Sequence, residues 1–421
     1  MIHILLLLIL AWFAASVGLL VLLNWRTLLA AWREPVLACP VLIVESDDWG
    51  PGPSEDAAAL QELARVLESL RDDGGRSAVM TLGVVSAVPD GQAILDGGCT
   101  RYVRRTLADP AFTPVREAMQ AGRERAVFAP QWHGLEHFWP DSLLACLDER
   151  ADPAQRQALR DWLRADCPRS EDLPAALQSR WVDAARLPSS PVLASAVALA
   201  VREEAAVLRY VFGAVPEVAV PNTFVWDDVV ERAWATCGVS CVVTPGCRYE
   251  GRDAMGGLAS PTRRIRNGDR GQGDVCYAVR DVYFEPLRGH RAEDVWRALE
   301  ERTAQGRATL LETHRSNFVG PLEVRDAVIA ELERALRGSL TAHHDLRFMA
   351  TAELAQILRD AESPFRERDL RLRVVAWLRR IAAEAGPARI LKITGLGSVI
   401  RRAGNFLGGV NFRRSHYQAD C

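Results

Sequence analysis

Val41-Leu42-Ile43-Val44-Glu45-Ser46-Asp47-Asp48-Trp49-Gly50 begins as an uninterrupted apolar run and ends in two adjacent carboxylates, an aromatic ring and a glycine. A short apolar run closed by a turn signal reads as a strand buried on both faces, the kind found in parallel sheets. Acids at the carboxyl end of such a strand stand where α/β folds gather their chemistry. Side chains alternate across a strand, so Asp47 and Asp48 are expected to point to opposite faces and to do different work, one binding a metal and the other staying free as a base. A helix N-cap or an Asx-turn is the competing use of such a pair.

A second cluster, Ala126-Val127-Phe128-Ala129-Pro130-Gln131-Trp132-His133-Gly134-Leu135-Glu136-His137, again runs from a short apolar strand into a polar end. Two histidines four residues apart lie on one side of a helical turn, from which both imidazoles can reach one ion at about 2.0–2.1 Å. The chain has only eight histidines, so the spacing is informative, although surface or capped histidines share it. Two imidazoles and one carboxylate with open positions make a catalytic metal site rather than a closed structural one. The third cluster, Ala308-Thr309-Leu310-Leu311-Glu312-Thr313-His314-Arg315-Ser316-Asn317-Phe318, delivers a histidine at a strand end. A histidine there suits proton donation to a leaving amine near neutral pH.

The order Asp47-Asp48, then His133-x-x-x-His137, then Leu311-x-x-His314 resembles the polysaccharide deacetylase family, the NodB-homology domain of carbohydrate esterase family four, over residues 40 to 360. The resemblance implies Asp47 as general base, Asp48, His133 and His137 as ligands of a divalent metal, zinc foremost, and His314 as general acid. It also implies a distorted (β/α) barrel, commonly seven-stranded, and an N-acetylated glycan as substrate. The chain departs from the family pattern as well. The Arg-x-Pro motif that braces the base would fall near Ala219-Val220-Pro221-Asn222-Thr223-Phe224-Val225-Trp226, where Ala219 holds the arginine position. Asn222, Asp227 and Arg315 are the candidates for the missing brace. The first motif reads Ser-Asp-Asp-Trp-Gly, and His-Gly-Leu-Glu-His lacks the usual Ser/Thr after its first histidine. This is the pattern of a divergent member.

Composition is that of a large globular α/β chain: 421 residues, 49% apolar and 25% charged. The formal net charge of −3 hides an asymmetry. Residues 365–421 hold 12 Lys/Arg against 4 Asp/Glu, a net of +8, which leaves −11 for the remainder. An acidic body with a basic tail argues against nucleic acid as partner and for an anionic contact of the tail. Ile4 to Leu23 are twenty residues without a charge, enough to cross a bilayer core of about 30 Å. A cleaved signal peptide is the alternative, but no Lys or Arg precedes the run and no clear small-x-small site follows it directly. Arg26 and Arg33 after the span favour a cytoplasmic domain, whereas the family resemblance points outward. Nine cysteines are an odd number without metal or framework spacing, and Cys237, Cys241 and Cys247 read as core thiols.

Between these signals the chain alternates. Helical patterns fall at 56–71, 114–123, 153–164, 192–212, 227–236, 292–305 and 323–337, and strands at 78–86, 217–220, 239–244, 275–284, 308–312 and 346–349. Such alternation predicts a parallel barrel or doubly wound sheet. The Gly/Arg-rich stretch 246–273 reads as a long loop at the rim of the site. In the tail, Leu370, Val374, Trp377, Leu378 and Ile381 form one stripe flanked by Arg371, Arg373, Arg379 and Arg380. That is a basic amphipathic helix suited to an anionic membrane surface or to packing on the barrel. Ile390 to Phe412 carries no readable role. The expected organisation is thus an anchor over 1–25, a deacetylase-like barrel over 38–360 and a basic helical tail over 365–421.

The expected function is a membrane-anchored, metal-dependent hydrolase that removes acetyl from an amino-sugar glycan. Trp49, Trp132 and Trp226 are candidate platforms for a sugar ring, with Asn222 and Arg315 as further substrate contacts. Two other readings stand beside it: a glycoside hydrolase using Glu285 and Glu312 as paired acids, and a degenerate domain that binds glycan without turnover.

Overall fold

The structure is a computed structural model describing residues 2–400 and residue 402. The chain divides into two compact units. The larger comprises Val41–Leu299 and Thr309–Asp360; the smaller comprises the residues up to Pro40, Glu300–Ala308 and those from Ala361 onward.

The larger unit is built on nine parallel strands: β1 (Val41–Trp49), β2 (Met80–Val84), β3 (Phe128–Trp132), β4 (Val218–Ala219), β5 (Cys241–Thr244), β6 (Cys276–Val279), β7 (Val282–Tyr283), β8 (Thr309–His314) and β9 (Arg347–Phe348). Eight follow the path β6-β5-β4-β3-β2-β1-β8-β7, and β9 pairs with the start of β1. All nine residues of β1 are buried, as its apolar run requires at the centre of the sheet. The helices Ser54–Ser69, Thr113–Glu124, Ala194–Phe212, Asp228–Thr236 and Leu322–Ala342 alternate with the strands and bury apolar stripes in one common core.

The expected closed, seven-stranded barrel is corrected by this sheet, which is curled but open, with eight strands on its path. The cause lies in the run 275–284, expected as a single strand. It breaks at Arg280, whose backbone N–H goes to Thr244 O at 2.8 Å. The half before the break pairs with β5 and the half after it with β8, so one run supplies both edges of the sheet. Residues 246–273 hold only a two-residue hairpin and a short 3₁₀ turn, in keeping with a long loop.

In the smaller unit, helix α1 spans Ile2–Arg33 and is interrupted at Asn24 (φ −131°, ψ 15°). There the side-chain amide donates to Leu20 O at 3.3 Å and competes with the helix ladder. The most apolar 18-residue window of α1 has a mean hydropathy of 2.8, and most of it is exposed. The helix is long and apolar enough to cross a membrane, a property that signal sequences share. Two tail helices, α2 (Leu370–Ala383) and α3 (Ala385–Thr394), pack on α1. Leu20, Leu28 and Ala31 of α1 form one buried cluster with Ile381, Leu391 and Leu396.

The expected arginine flank of α2 is corrected in part. Arg380 is fully buried and donates to the carbonyl oxygens of Ala31, Glu34, Pro35, Gln305 and Gly306. The apolar stripe through Trp377, Leu378 and Ile381 is covered by α1 rather than free for a lipid surface. Residues 403–421, which include the end of the Ile390–Phe412 stretch, lie outside the described residues.

Candidate active site

β1 and β8 are parallel neighbours with Asp47 opposite His314, so the first and third sequence clusters meet at one end of the sheet. The alternation expected of Asp47 and Asp48 does not hold. The register between β1 and β2 shifts between Ser46 and Trp49, and Asp48 takes a left-handed backbone (φ 70°). Such a bulge re-aims a side chain that would otherwise face away. Both carboxylates therefore border the same histidines. A positive φ at a non-glycine residue costs free energy that the surrounding fold must offset.

The second cluster arrives from β3. His133 N–H bonds Val84 O at 3.1 Å. The segment after it is not a helical turn, as the His-x-x-x-His spacing predicted, but a bend through Gly134 (φ 91°). A Cβ at Gly134 would stand 2.7 Å from both Asn222 Oδ1 and Glu136 O, so only glycine fits. Buried groups hold this bend. Gly134 N–H donates to Glu204 Oε1 at 2.9 Å, and Asn222 Nδ2 donates to His133 O at 2.6 Å. Burial pushes the Glu204 carboxyl up to about 8.

The bend brings His133 Nε2 to 3.3 Å and His137 Nε2 to 3.4 Å from Asp48 Oδ1. Donor atoms of the three residues lie within 4.8 Å of one another, and all three residues are buried. Two donors about 2.1 Å from a tetrahedral ion sit about 3.4 Å apart, so these separations fit one small divalent cation. The tautomer fits too. His133 Nδ1 lies 3.0 Å from Val220 O, a carbonyl that can only accept. The ring proton belongs on Nδ1, which leaves the Nε2 lone pair facing Asp48. Burial drives His137 down to about 4, with Asp48 only partly offsetting it. Burial raises the Asp48 carboxyl, but His137 and His133 outweigh it and hold the group below its ordinary range. For His133, Asp47 and Asp48 outweigh burial and raise the imidazole.

Asp47 is braced by a residue that the sequence pattern did not single out. Arg280 is fully buried and donates to Asp47 Oδ2 at 2.6 Å and to Glu45 Oε2 at 2.9 Å; its Nε lies 3.2 Å from Glu312 Oε2. Burial favours the neutral carboxyl, yet Arg280 and then His133 keep Asp47 below its ordinary value. Glu45 and Glu312 share the same arginine, but burial dominates there and raises both. The three candidate braces do other work. Asn222 holds the His133 carbonyl, Asp227 caps the helix Asp228–Thr236, and Arg315 pairs with Glu171 at 3.1 Å.

His314 is backed by Glu285. Nδ1 lies 2.7 Å from Glu285 Oε1, while Glu285 Oε2 accepts from Asn317 Nδ2 at 2.5 Å. Burial opposes the imidazolium, but the Glu285 hydrogen bond, followed by the charges of Asp48 and Asp47, lifts His314 to about 9.

Trp49, Trp132 and Trp226 are corrected as sugar platforms. Each is at most 1% exposed. Their ring N–H groups are bonded inside the core, to Ser46 Oγ, Pro216 O and Glu231 Oε1. The narrow cleft over the site is lined instead by Asp48, His137, Val85, Val88, Phe138 and Arg315. The eight cysteines among the described residues are free thiols.

No family model and no curated protein matches this chain. Solved structures do. A 4-alpha-glucanotransferase from Thermococcus litoralis aligns at TM-score 0.39 and 8% identity over 76% of this chain, which spans 40% of that protein's length. The T48 deacetylase with substrate aligns at TM-score 0.33 and 10% identity over 76% of this chain and 90% of its own. A family 4 carbohydrate esterase from Streptomyces lividans, in complex with acetate, aligns at TM-score 0.33 and 10% identity over 74% and 91%.

Proposed function

We propose that this protein is a metal-dependent deacetylase that removes the N-acetyl group from an amino-sugar glycan. The observation that carries the reading is the convergence of Asp48, His133 and His137 beside an ionised carboxylate and a carboxylate-backed histidine. One carboxylate and two imidazoles suit zinc or a similar first-row ion. Such an ion, when bound, supplies the charge that acidifies water and favours the tetrahedral oxyanion.

The chain's own groups do the rest. Asp47, ionised beside Arg280, takes a proton from the water that attacks the acetyl carbonyl. Arg280 positions Asp47 and balances the surrounding acids. His314, protonated up to about pH 9, hands its proton to the departing amine. Asn222 and Glu204 hold the bend that presents the two ligand histidines. Glu285 and Glu312, the pair a glycosidase would need, are engaged with His314 and Arg280 instead.

Acetate release from N-acetylated oligosaccharides tests the assignment. Asp47→Asn and His314→Ala should each lose about 10²–10⁴-fold in rate while keeping metal content and fold. A fully active Asp47→Asn would refute the base assignment. A wild type that holds its metal but releases no acetate would replace turnover with glycan binding.

We propose further that α1 anchors the chain in a membrane. Leu20 packs in one cluster with Ile381, Leu391 and Leu396, with Val17 against it, and cleavage of α1 near residue 25 would strip both from the tail cluster. Intact mass of the native protein decides this. A mature N-terminus beyond residue 25 would identify a signal peptide.

A further inference from the structure

The second tail helix, α3, continues into a segment for which the sequence pattern offers no role. It runs antiparallel to α1. A Cβ at Gly386 would stand 2.6 Å from Asn24 Oδ1, and eight residues later Thr394 O accepts a hydrogen bond from Trp12 Nε1 at 3.1 Å. From Asn24 to Trp12, α1 rises about 18 Å, more than half of the roughly 30 Å hydrocarbon thickness of a bilayer. The break at Asn24, with Trp25 and Arg26 beside it, marks one end of the apolar stretch. Trp12 therefore lies well inside that stretch, and α3 reaches it.

The contacts are those that a hydrocarbon environment demands. An indole N–H and a helix-terminal carbonyl are both costly without partners away from water. Here they satisfy each other, at the point where Gly395 ends α3 in a left-handed cap (φ 76°). Leu20, Leu391 and Leu396 are buried between the helices, and Ser16 is buried on the same apolar stretch of α1. The outward side carries apolar residues beside the exposed Arg389, Lys392 and Ser398. Ile393 and Val399 are 70% and 43% exposed, as are Phe13, Leu19 and Leu22 of α1 in comparable degree. The cations Arg389 and Lys392 lie within about 9 Å of the Asn24 level along the helix. That distance is short enough for long side chains to reach the interface.

We propose that Ala385–Ile400 is a second membrane-embedded element, lying along α1 and entering the bilayer as far as Trp12, with lipid hydrocarbon as the partner of Ile393 and Val399. The inference rests on α1 spanning the membrane. The unit would then hold the bilayer with two packed helices rather than a single span, and the tail would be fixed to the anchor.

The test is photolabelling of the wild-type full chain in phosphatidylcholine vesicles with a bilayer-soluble diazirine, followed by peptide mapping. Trypsin yields the peptide Ile393–Arg401. Its labelling is expected within about tenfold of that of the peptide from α1, since both would share one hydrocarbon layer. Peptides from β1 and β8 are expected to stay unlabelled. Label in α1 without label in Ile393–Arg401 would overturn the inference and leave the anchor standing. Absence of label from both peptides would overturn the anchor itself, and the inference with it.

Discussion

Glu285→Gln isolates the charge behind the proposed general acid. The imidazole of His314 stands at about 9 rather than 6.5, and the Glu285 hydrogen bond is the largest influence raising it against burial. Gln retains an acceptor for the ring but no charge, so Asp47 and Asp48 alone would support the imidazolium. The His314 pKa should therefore fall by about one to two pH units, roughly 1.4–2.7 kcal/mol of lost preference for the charged ring. The acid form is the active form, so its loss appears as the alkaline limb of kcat/KM for the free enzyme. Wild type should hold its rate to about pH 9. The variant should begin to lose rate at about pH 7–8 and fall about eightfold behind at pH 8.5, while nearly matching wild type at pH 6.5. The assay is acetate release from an N-acetylated oligosaccharide at low substrate concentration across the pH range. An unmoved alkaline limb would refute the reasoning. An equal loss at every pH would refute it as well, because it would show a geometric role in place of an electrostatic one.

The same pair should be visible in stability. A raised histidine pKa contributes stability that is full below about 6.5 and lost as pH rises through about 9, so the urea-midpoint gap between wild type and Glu285→Gln should be widest at pH 6.5 and below and close as pH rises through about 9. Arg280→Met should destabilise the fold by about 3–5 kcal/mol, since it leaves Glu45, Asp47 and Glu312 buried without their cation; a denaturation curve matching wild type would contradict this. Gly83→Ala places a Cβ against Asp47 Oδ1, with the Asp47 Cα at 3.2 Å. It should cost about 1–3 kcal/mol and displace the base, so unchanged activity would show that Asp47 does not need this position.

The parts of the site that lie at strand ends were readable from sequence because period and chemistry agree there. Asp47 and His314 close two apolar runs that pair in register, and the histidine pair follows a third. What escaped reading depends on distant or irregular backbone. Arg280 reaches Asp47 across 233 positions. The available signal was an arginine inside an otherwise apolar strand run, Val275-Cys276-Tyr277-Ala278-Val279-Arg280, which must find a buried acid. The bulge at Asp48 overrides the alternation that a regular strand would impose, and no local sequence rule announces it. The tryptophans fit a core as well as a sugar platform by composition alone, and the sheet buries them. Glu285 read as a catalytic acid because its neighbour Asn317 and its partner His314 come from another strand end. Sheet closure was likewise hidden, since it turned on one interruption at Arg280.

The claim on which everything else rests is that Asp48, His133 and His137 hold one metal ion. Elemental analysis of the purified full-length protein tests it most directly. About one divalent first-row ion per chain is expected in the wild type, with retention of that ion in Asp47→Asn and His314→Ala and its loss in His133→Ala. A metal-free wild type, or a metal content unchanged in His133→Ala, would contradict it.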